Sequence, residues 1–265
     1  MNLDVREGLA MIERTHAGSG RIIVQGHRGA MGHAPENTMV SFELGYNLGS
    51  DVIELDVHLT RDGRLAVMHD PEVSRTTDGV GNLQNMDTQE ILALDASKRF
   101  WPAYRDIRVP FIEEVLAWAK GKIDLVLEIK GDPFPAEGIE RLLIEKVEEA
   151  EMSDNVMVIS FYHESLLTIK RLQPSIPTGI LYTGRPIDPV RMTKDAHADS
   201  FRCDWRYLHR DDVRRAHEAG LWVGCWTADT EEVFTHLAAM QVDSAGCNYP
   251  DRFRQWLDAR GLGIK

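Results

Sequence analysis

The sequence predicts an α/β protein: a (β/α)8 TIM barrel with a small subdomain inserted after the second strand. Three observations carry that expectation. Short apolar runs of strand character alternate along the chain with amphipathic helical stretches, the pattern of a parallel sheet with crossover helices. Eight such runs fall within 265 residues, which suits one closed barrel better than an open doubly wound sheet. One connection, Asp70 to Pro110, is far longer than an ordinary loop and holds its own turn and helix signals, so it reads as an insertion over one mouth of the barrel.

The elements follow in order. Met1–Gly20 carries Val5, Leu9 and Ile12 in a helical stripe and is expected to cover the bottom of the barrel, joined through a flexible His16–Gly20. The barrel is expected over 21–265, with the insertion at about 70–110. Strands are expected at Ile22–Gln25, Val52–Val57, Leu125–Ile129, Val156–Ser160, Thr178–Leu181, Ser200–Cys203 and Trp222–Trp226, with a weak eighth at Ser244–Cys247. Helices are expected at Thr38–Leu48, Ile112–Lys120, Gly138–Ala150, Glu164–Leu172, Asp211–Ala219, Glu231–Met240 and Asp251–Ala259, and a short one near Thr88–Leu94.

Composition sets limits on function. A formal net charge of -12 disfavours binding to nucleic acid and stable association with an anionic membrane. It also repels an anionic substrate at long range, so a site for a phosphate ester must carry its own positive charge. Cys203, Cys225 and Cys247 match neither zinc spacing nor a disulfide framework and are expected as buried or half-buried free thiols of a reducing compartment. The N-terminal stretch is broken by Arg6, Glu7, Glu13 and Arg14, so neither a signal peptide nor a membrane span is expected. The resulting expectation is a cytoplasmic protein.

Chemistry concentrates at strand ends. In Ile53-Glu54-Leu55-Asp56-Val57 side chains alternate, so Glu54 and Asp56 share one face and the apolar residues the other. Helices cover the outside of a barrel, so the two carboxylates are expected to point inward. Leu125-Val-Leu-Glu128-Ile-Lys130 repeats the arrangement. Three inward carboxylates cannot all stay ionised without a partner. That partner is either a divalent cation, for which all-oxygen ligands suit magnesium, calcium or manganese, or Lys130 and Arg28 as counter-charges.

Gln25-Gly-His27-Arg28-Gly29 follows the first strand, where functional groups of parallel barrels sit. His27 is placed for acid–base work, and Arg28 offers a planar fork suited to phosphate. His69 closes the run Leu65–Met68 after the hairpin signal Asp62-Gly63. Asp70 is beside it, although neighbours in an extended chain point to different sides. No Gly-x-Ser-x-Gly elbow, P-loop or His-x-x-x-His zinc spacing is present.

Taken together, these motifs resemble the glycerophosphodiester phosphodiesterase family. The resemblance runs through His27-Arg28-Gly29, Pro35-Glu36-Asn37-Thr38, Glu54-x-Asp56-Val57-x-x-Thr60-x-Asp62-Gly63 and His69-Asp70-Pro71. It continues through Val109-Pro110-x-x-Glu113-Glu114, Glu128-x-Lys130, Ser160-Phe161, Trp226-Thr227 and Asn248-Tyr249-Pro250-Asp251. It implies that Glu54, Asp56 and Glu128 bind one divalent cation, calcium or magnesium, with manganese as a further candidate. His27 and His69 would be the acid and base, and Arg28 and Lys130 would hold phosphate oxygens. Phe161 and Trp226 would sit at the mouth against the glycerol or the leaving group.

The implied reaction releases glycerol 3-phosphate and an alcohol, in a monomer or homodimer. Two other readings compete. One is a relative cleaving lysophospholipid or sphingomyelin head groups, with Phe100, Trp101 and Tyr104 either as an acyl platform or, as expected, packing the insertion. The other is a non-catalytic binder of phosphate ligands. The chain also departs from the family pattern. Ala228-Asp229 follow Trp226-Thr227, where many relatives have a small apolar residue and Asn. The last strand reads Ser244-Ala-Gly-Cys-Asn248 instead of an apolar run, and 197–210 matches poorly.

Overall fold

The computed structural model describes residues 17–264. The helical stripe expected in Met1–Gly20 lies, as far as His16, outside the described residues. Eight parallel strands form the barrel: β1 (Ile23–Gly26), β2 (Val52–Leu59), β4 (Asp124–Ile129), β5 (Val156–Ser160), β6 (Thr178–Tyr182), β7 (Ser200–Asp204), β8 (Trp222–Trp226) and β9 (Ser244–Cys247). The ring runs β1-β9-β8-β7-β6-β5-β4-β2 and closes through a β1–β2 pairing, Gln25 opposite Val52. The (β/α)8 barrel read from the sequence is therefore the observed fold.

The remaining strand, β3 (Leu65–Val67), pairs antiparallel with β2, His58 opposite Ala66. Gly63, at φ 81°, makes the turn between them, a conformation that costs glycine little. This hairpin brings the chain back along β2, with the Met68 N–H donating to Asp56 O at 3.1 Å just before His69.

Helices cover the outside. They are α1 (Met39–Asn47), α3 (Ile112–Ala119), α4 (Ile139–Glu149), α5 (His163–Leu172), α6 (Pro189–Asp195), α7 (Arg210–Glu218), α8 (Glu231–Met240) and α9 (Pro250–Asp258), while the short α2 (Thr88–Leu92) lies in the long connection after β3. Ile53, Leu55 and Val57 face this helical layer with Leu125, Leu127 and Ile129. Val52, Val126, Met157, Ile159, Leu181 and Trp222 pack together inside the barrel. The alternation expected of β2 and β4 therefore holds, and it leaves Glu54, Asp56 and Glu128 on the interior face.

The sequence reading missed α6. It spans only seven residues, but Asp188 caps it by accepting from the Arg191 N–H at 3.0 Å, and Pro189 opens it, which is a readable start signal. The weak eighth strand is real. β9 pairs with both β1 and β8, with Ile23 opposite Ser244 and Gly224 opposite Ser244.

The long connection 68–111 has a core of its own, built from Ala66, Met68, Val73, Leu83, Ile91, Ala96, Val109 and Phe111. Phe100, Trp101 and Tyr104 are not part of it. Phe100 and Tyr104 pack edge to face, and Trp101 is 60% exposed beneath the Arg105 guanidinium. The expectation that these aromatics pack the insertion holds for the Phe100–Tyr104 pair and is corrected for Trp101. Cys203, Cys225 and Cys247 are free and buried, as expected. No described helix is long and apolar enough to cross a membrane.

Candidate active site

The C-terminal ends of the barrel strands gather the candidate residues. Glu54, Asp56 and Glu128 each present a carboxylate oxygen, and these oxygens lie within 4.8 Å of one another. All three residues are buried. β2 and β4 run in parallel with Asp56 opposite Glu128, so strand register alone brings the carboxylates together.

Their surroundings differ. Asp56 Oδ2 accepts from Asn37 Nδ2 at 2.7 Å and lies 3.4 Å from Arg28 Nε. Asp56 Oδ1 makes no hydrogen bond, although Lys130 Nζ is 3.3 Å away. Lys130 donates to Glu128 Oε1 at 2.7 Å. Glu54 Oε2 accepts from the Arg28 backbone N–H at 2.9 Å. That N–H is aimed by an unusual backbone: Arg28 has φ 51° and Gly29 φ 84°. A Cβ at Gly29 would come within 2.5 Å of Ser41, so the close approach of this loop to α1 requires glycine.

Charge in the cluster is unevenly held. Burial raises the Asp56 carboxyl, but Lys130 and Arg28 outweigh it and keep Asp56 well below the usual range. Burial, then Asp56 and Glu128, push Glu54 well up. Burial lifts Glu128 to about 7 against the pull of Lys130. Three carboxylates crowded this way want more positive charge than two side chains supply. A buried all-oxygen donor set with an unbonded Asp56 Oδ1 fits a hard divalent cation.

The two histidines flank this cluster. His27 Nδ1 is 2.8 Å from Asn248 Oδ1. Burial first, then Arg28, lowers His27 to about 4. His69 Nδ1 is 2.5 Å from Asp70 Oδ1, and the peptide oxygen of His69 is 3.1 Å from His58 Nε2. Burial lowers His69 too, with Asp56 acting against it. Adjacency made Asp70 only a weak candidate to orient His69. In the structure the two meet, because both residues lie in a bend beyond β3 where strand alternation no longer applies.

Positive charge is concentrated here, as a phosphate site in an acidic protein requires. Buried Glu36 accepts from Arg28 (2.7 Å), Arg75 (2.7 Å) and Arg99 (3.0 Å). Burial raises the Glu36 carboxyl, yet Arg75 and Arg28 hold it down at about 2. Arg75 also bonds Asp70, tying the insertion to the His69 anchor. At the mouth Phe161 and Trp226 pack edge to face, centroids 6.3 Å apart, and Phe161 is 43% exposed. Trp226 Nε1 is buried and makes no hydrogen bond.

Sequence reasoning gave no role to Asn37 or Asn248, and expected of Asp229 only that an acid there could alter contacts near the mouth. Asp229 accepts from the Asn248 backbone N–H at 2.8 Å and from its Nδ2 at 2.7 Å. The signal for the two asparagines was their place in quoted motifs. For Asp229 it was the departure from Asn.

Anchored histidines beside a carboxylate cluster, ringed by guanidinium and ammonium groups, equip a barrel hydrolase acting on a phosphate ester. The chain belongs to the glycerophosphoryl diester phosphodiesterase family, whose model matches residues 27–252, and it is a phosphodiesterase. It is 33% identical over 232 residues to a glycerophosphodiester phosphodiesterase of Caldanaerobacter subterraneus subsp. tengcongensis, covering 87% of this chain and 96% of the relative. A glycerophosphodiester phosphodiesterase of Bacillus subtilis is 32% identical, covering 89% of this chain and 86% of that one. Among solved structures, an Oleispira antarctica phosphodiesterase in complex with the product sn-glycerol-3-phosphate superposes with a TM-score of 0.81 at 27% identity, over 92% of this chain and all of that one. An Agrobacterium tumefaciens glycerophosphodiester phosphodiesterase gives 0.78 at 27% identity, over 88% and 99% of the two chains.

Proposed function

We propose that this enzyme hydrolyses glycerophosphodiesters to glycerol 3-phosphate and a free alcohol, and that it requires one divalent cation, calcium or magnesium, held by Glu54, Asp56 and Glu128. The observation that carries this reading is the convergence of three buried carboxylates within 4.8 Å. The glycerol 3-phosphate in the Oleispira antarctica complex supports the product.

When bound, the cation supplies Lewis-acid stabilisation of the charge that builds on the phosphoryl group. The chain's own residues do the rest. Arg28 and Lys130 hold phosphate oxygens; neither is tied to a single carboxylate, since Arg28 spans Glu36 and Asp56, and Lys130 spans Glu128 and Asp56. His27, neutral at pH 7, removes a proton from the nucleophile, either water, which gives glycerol 3-phosphate directly, or a glycerol hydroxyl, which gives a cyclic phosphate that water then opens to glycerol 3-phosphate. His69, backed by the Asp70 carboxylate, gives a proton to the leaving alcohol. Phe161 and Trp226 provide an apolar wall against the glycerol or the alcohol.

The test is glycerol 3-phosphate release from a panel of glycerophosphodiesters after chelation, with calcium, magnesium and manganese added back singly. Activity is expected to vanish on chelation and return with at least one ion. Full turnover in chelator would overturn the role given to the carboxylates. Exposed Trp101 (60%) and Phe134 (73%) favour one second reading, a preference for lysophospholipids. Faster turnover of lysophosphatidylcholine than of glycerophosphocholine in the same assay would select it.

A further inference from the structure

The departure Ala228-Asp229 has a chemical consequence at His27. Asp229 stands just before Thr230, the cap of α8, and the preceding Ala228 N–H donates to Gly246 O at 2.8 Å. The loop after β8 is therefore pinned to β9. From there Asp229 Oδ1 accepts from the Asn248 backbone N–H at 2.8 Å, and Oδ2 from Asn248 Nδ2 at 2.7 Å.

Burial raises the Asp229 carboxyl, while the backbone and side-chain N–H groups of Asn248 favour its ionised form; ionised, it only accepts hydrogen bonds. The end of the Asn248 amide that faces Asp229 must then be its NH2. The amide oxygen consequently faces the other way, where it lies 2.8 Å from His27 Nδ1. An amide oxygen also only accepts, so Nδ1 carries the ring hydrogen. A neutral imidazole has one such hydrogen, and Nε2 keeps its lone pair.

We propose that Asp229 is a positioning residue for the reaction: through Asn248 it holds His27 in the Nδ1–H tautomer, so that Nε2 is the atom that accepts the proton. Without the carboxylate, the Asn248 amide is free to turn over. Its NH2 would then face Nδ1, the ring hydrogen would move to Nε2, and the ring would present a donor where the reaction needs an acceptor. Because His27 is held at about 4 and is neutral near pH 7, its tautomer, not its charge, decides whether Nε2 accepts. This inference rests on the reading of His27 as the proton acceptor, and its test is chosen to separate the two.

The experiment is imidazole 15N NMR on the full chain, loaded with magnesium, as wild type, Asp229→Ala and Asp229→Asn, with kcat and KM for glycerophosphocholine measured on each. Wild-type His27 is expected as Nδ1–H with a bare Nε2. In Asp229→Ala the Nε2–H tautomer is expected to be populated, with kcat lower by about 10–100-fold, part of the about 10²–10⁴-fold that a positioned general base contributes, and KM little changed. Asp229→Asn keeps the size and one acceptor, so it preserves the test if the alanine variant does not fold. It is expected to give mixed tautomers and a smaller loss, about tenfold. A pure Nδ1–H spectrum in every variant that folds, or a rise in KM at constant kcat, overturns the proposal. Absence of turnover in the wild type on any glycerophosphodiester would overturn the proposed function instead, and the tautomer comparison would still decide the role of Asp229.

Discussion

His27 and His69 both have an anchored Nδ1, but the anchors differ. At the β1 end a neutral amide, Asn248, holds His27. At the hairpin end a carboxylate, Asp70, holds His69, and Asp70 in turn pairs with Arg75 of the insertion. An amide oxygen orients a ring without favouring its protonated form strongly, whereas a carboxylate stabilises the imidazolium as well. In the mechanism we propose, this contrast suits the two rings to opposite tasks: the amide-held ring takes a proton and the carboxylate-held ring gives one. The same comparison explains why the insertion belongs to the site. It delivers Arg75, which keeps Asp70 low, at about 2, against burial.

The largest effect expected is at the rings themselves. His27→Ala and His69→Ala should each lower kcat by about 10²–10⁴-fold, with substrate binding largely kept. A KM rise without a kcat loss at either position would remove that ring from proton transfer and break the comparison.

A smaller effect is expected at the carboxylate anchor. Asp70→Asn keeps the orientation of His69 but removes the charge that stabilises its protonated form, so kcat should fall by about 10–100-fold. The alkaline limb of the pH–kcat profile should also move to lower pH, because His69 would lose its proton earlier. An unchanged limb would mean that Asp70 acts on orientation alone.

The smallest effect is a slope in cation affinity. Glu128 is raised to about 7, so below that pH binding must release its proton. Glu54 is pushed up as well, so magnesium or calcium affinity by calorimetry should rise by about tenfold or more per pH unit from roughly 5 to 7. An affinity independent of pH across that window would show that Glu128 is already ionised and not displaced by the cation. A wild-type slope that persists in both histidine variants would sharpen the comparison, placing that proton on the carboxylates.

Much of this was legible in the sequence because strand alternation is a local rule. Glu54 and Asp56 could be placed inward from five residues, and the register of β2 against β4 then brought Glu128 to Asp56. β9 read weakly because its interior positions are Ser244 and Gly246 and its outward Ala245 is small, so it lacks the bulk of an apolar run. The anchors were not legible, since Asn248 and His27 stand 221 residues apart and meet only because β9 closes the barrel on β1. Asp70, adjacent to its partner, read only weakly, because the alternation rule applied to it fails once the chain leaves the strand.

The most direct measurement of the division between the histidines is a leaving-group series of phosphodiesters, from a simple alcohol to a nitrophenol, on wild type, His27→Ala and His69→Ala. A nitrophenolate departs without a proton, so the His69→Ala defect should shrink toward wild type with that substrate while the His27→Ala defect stays. Equal recovery in both variants, or recovery in His27→Ala alone, would contradict the assignment of His27 as acceptor and His69 as donor.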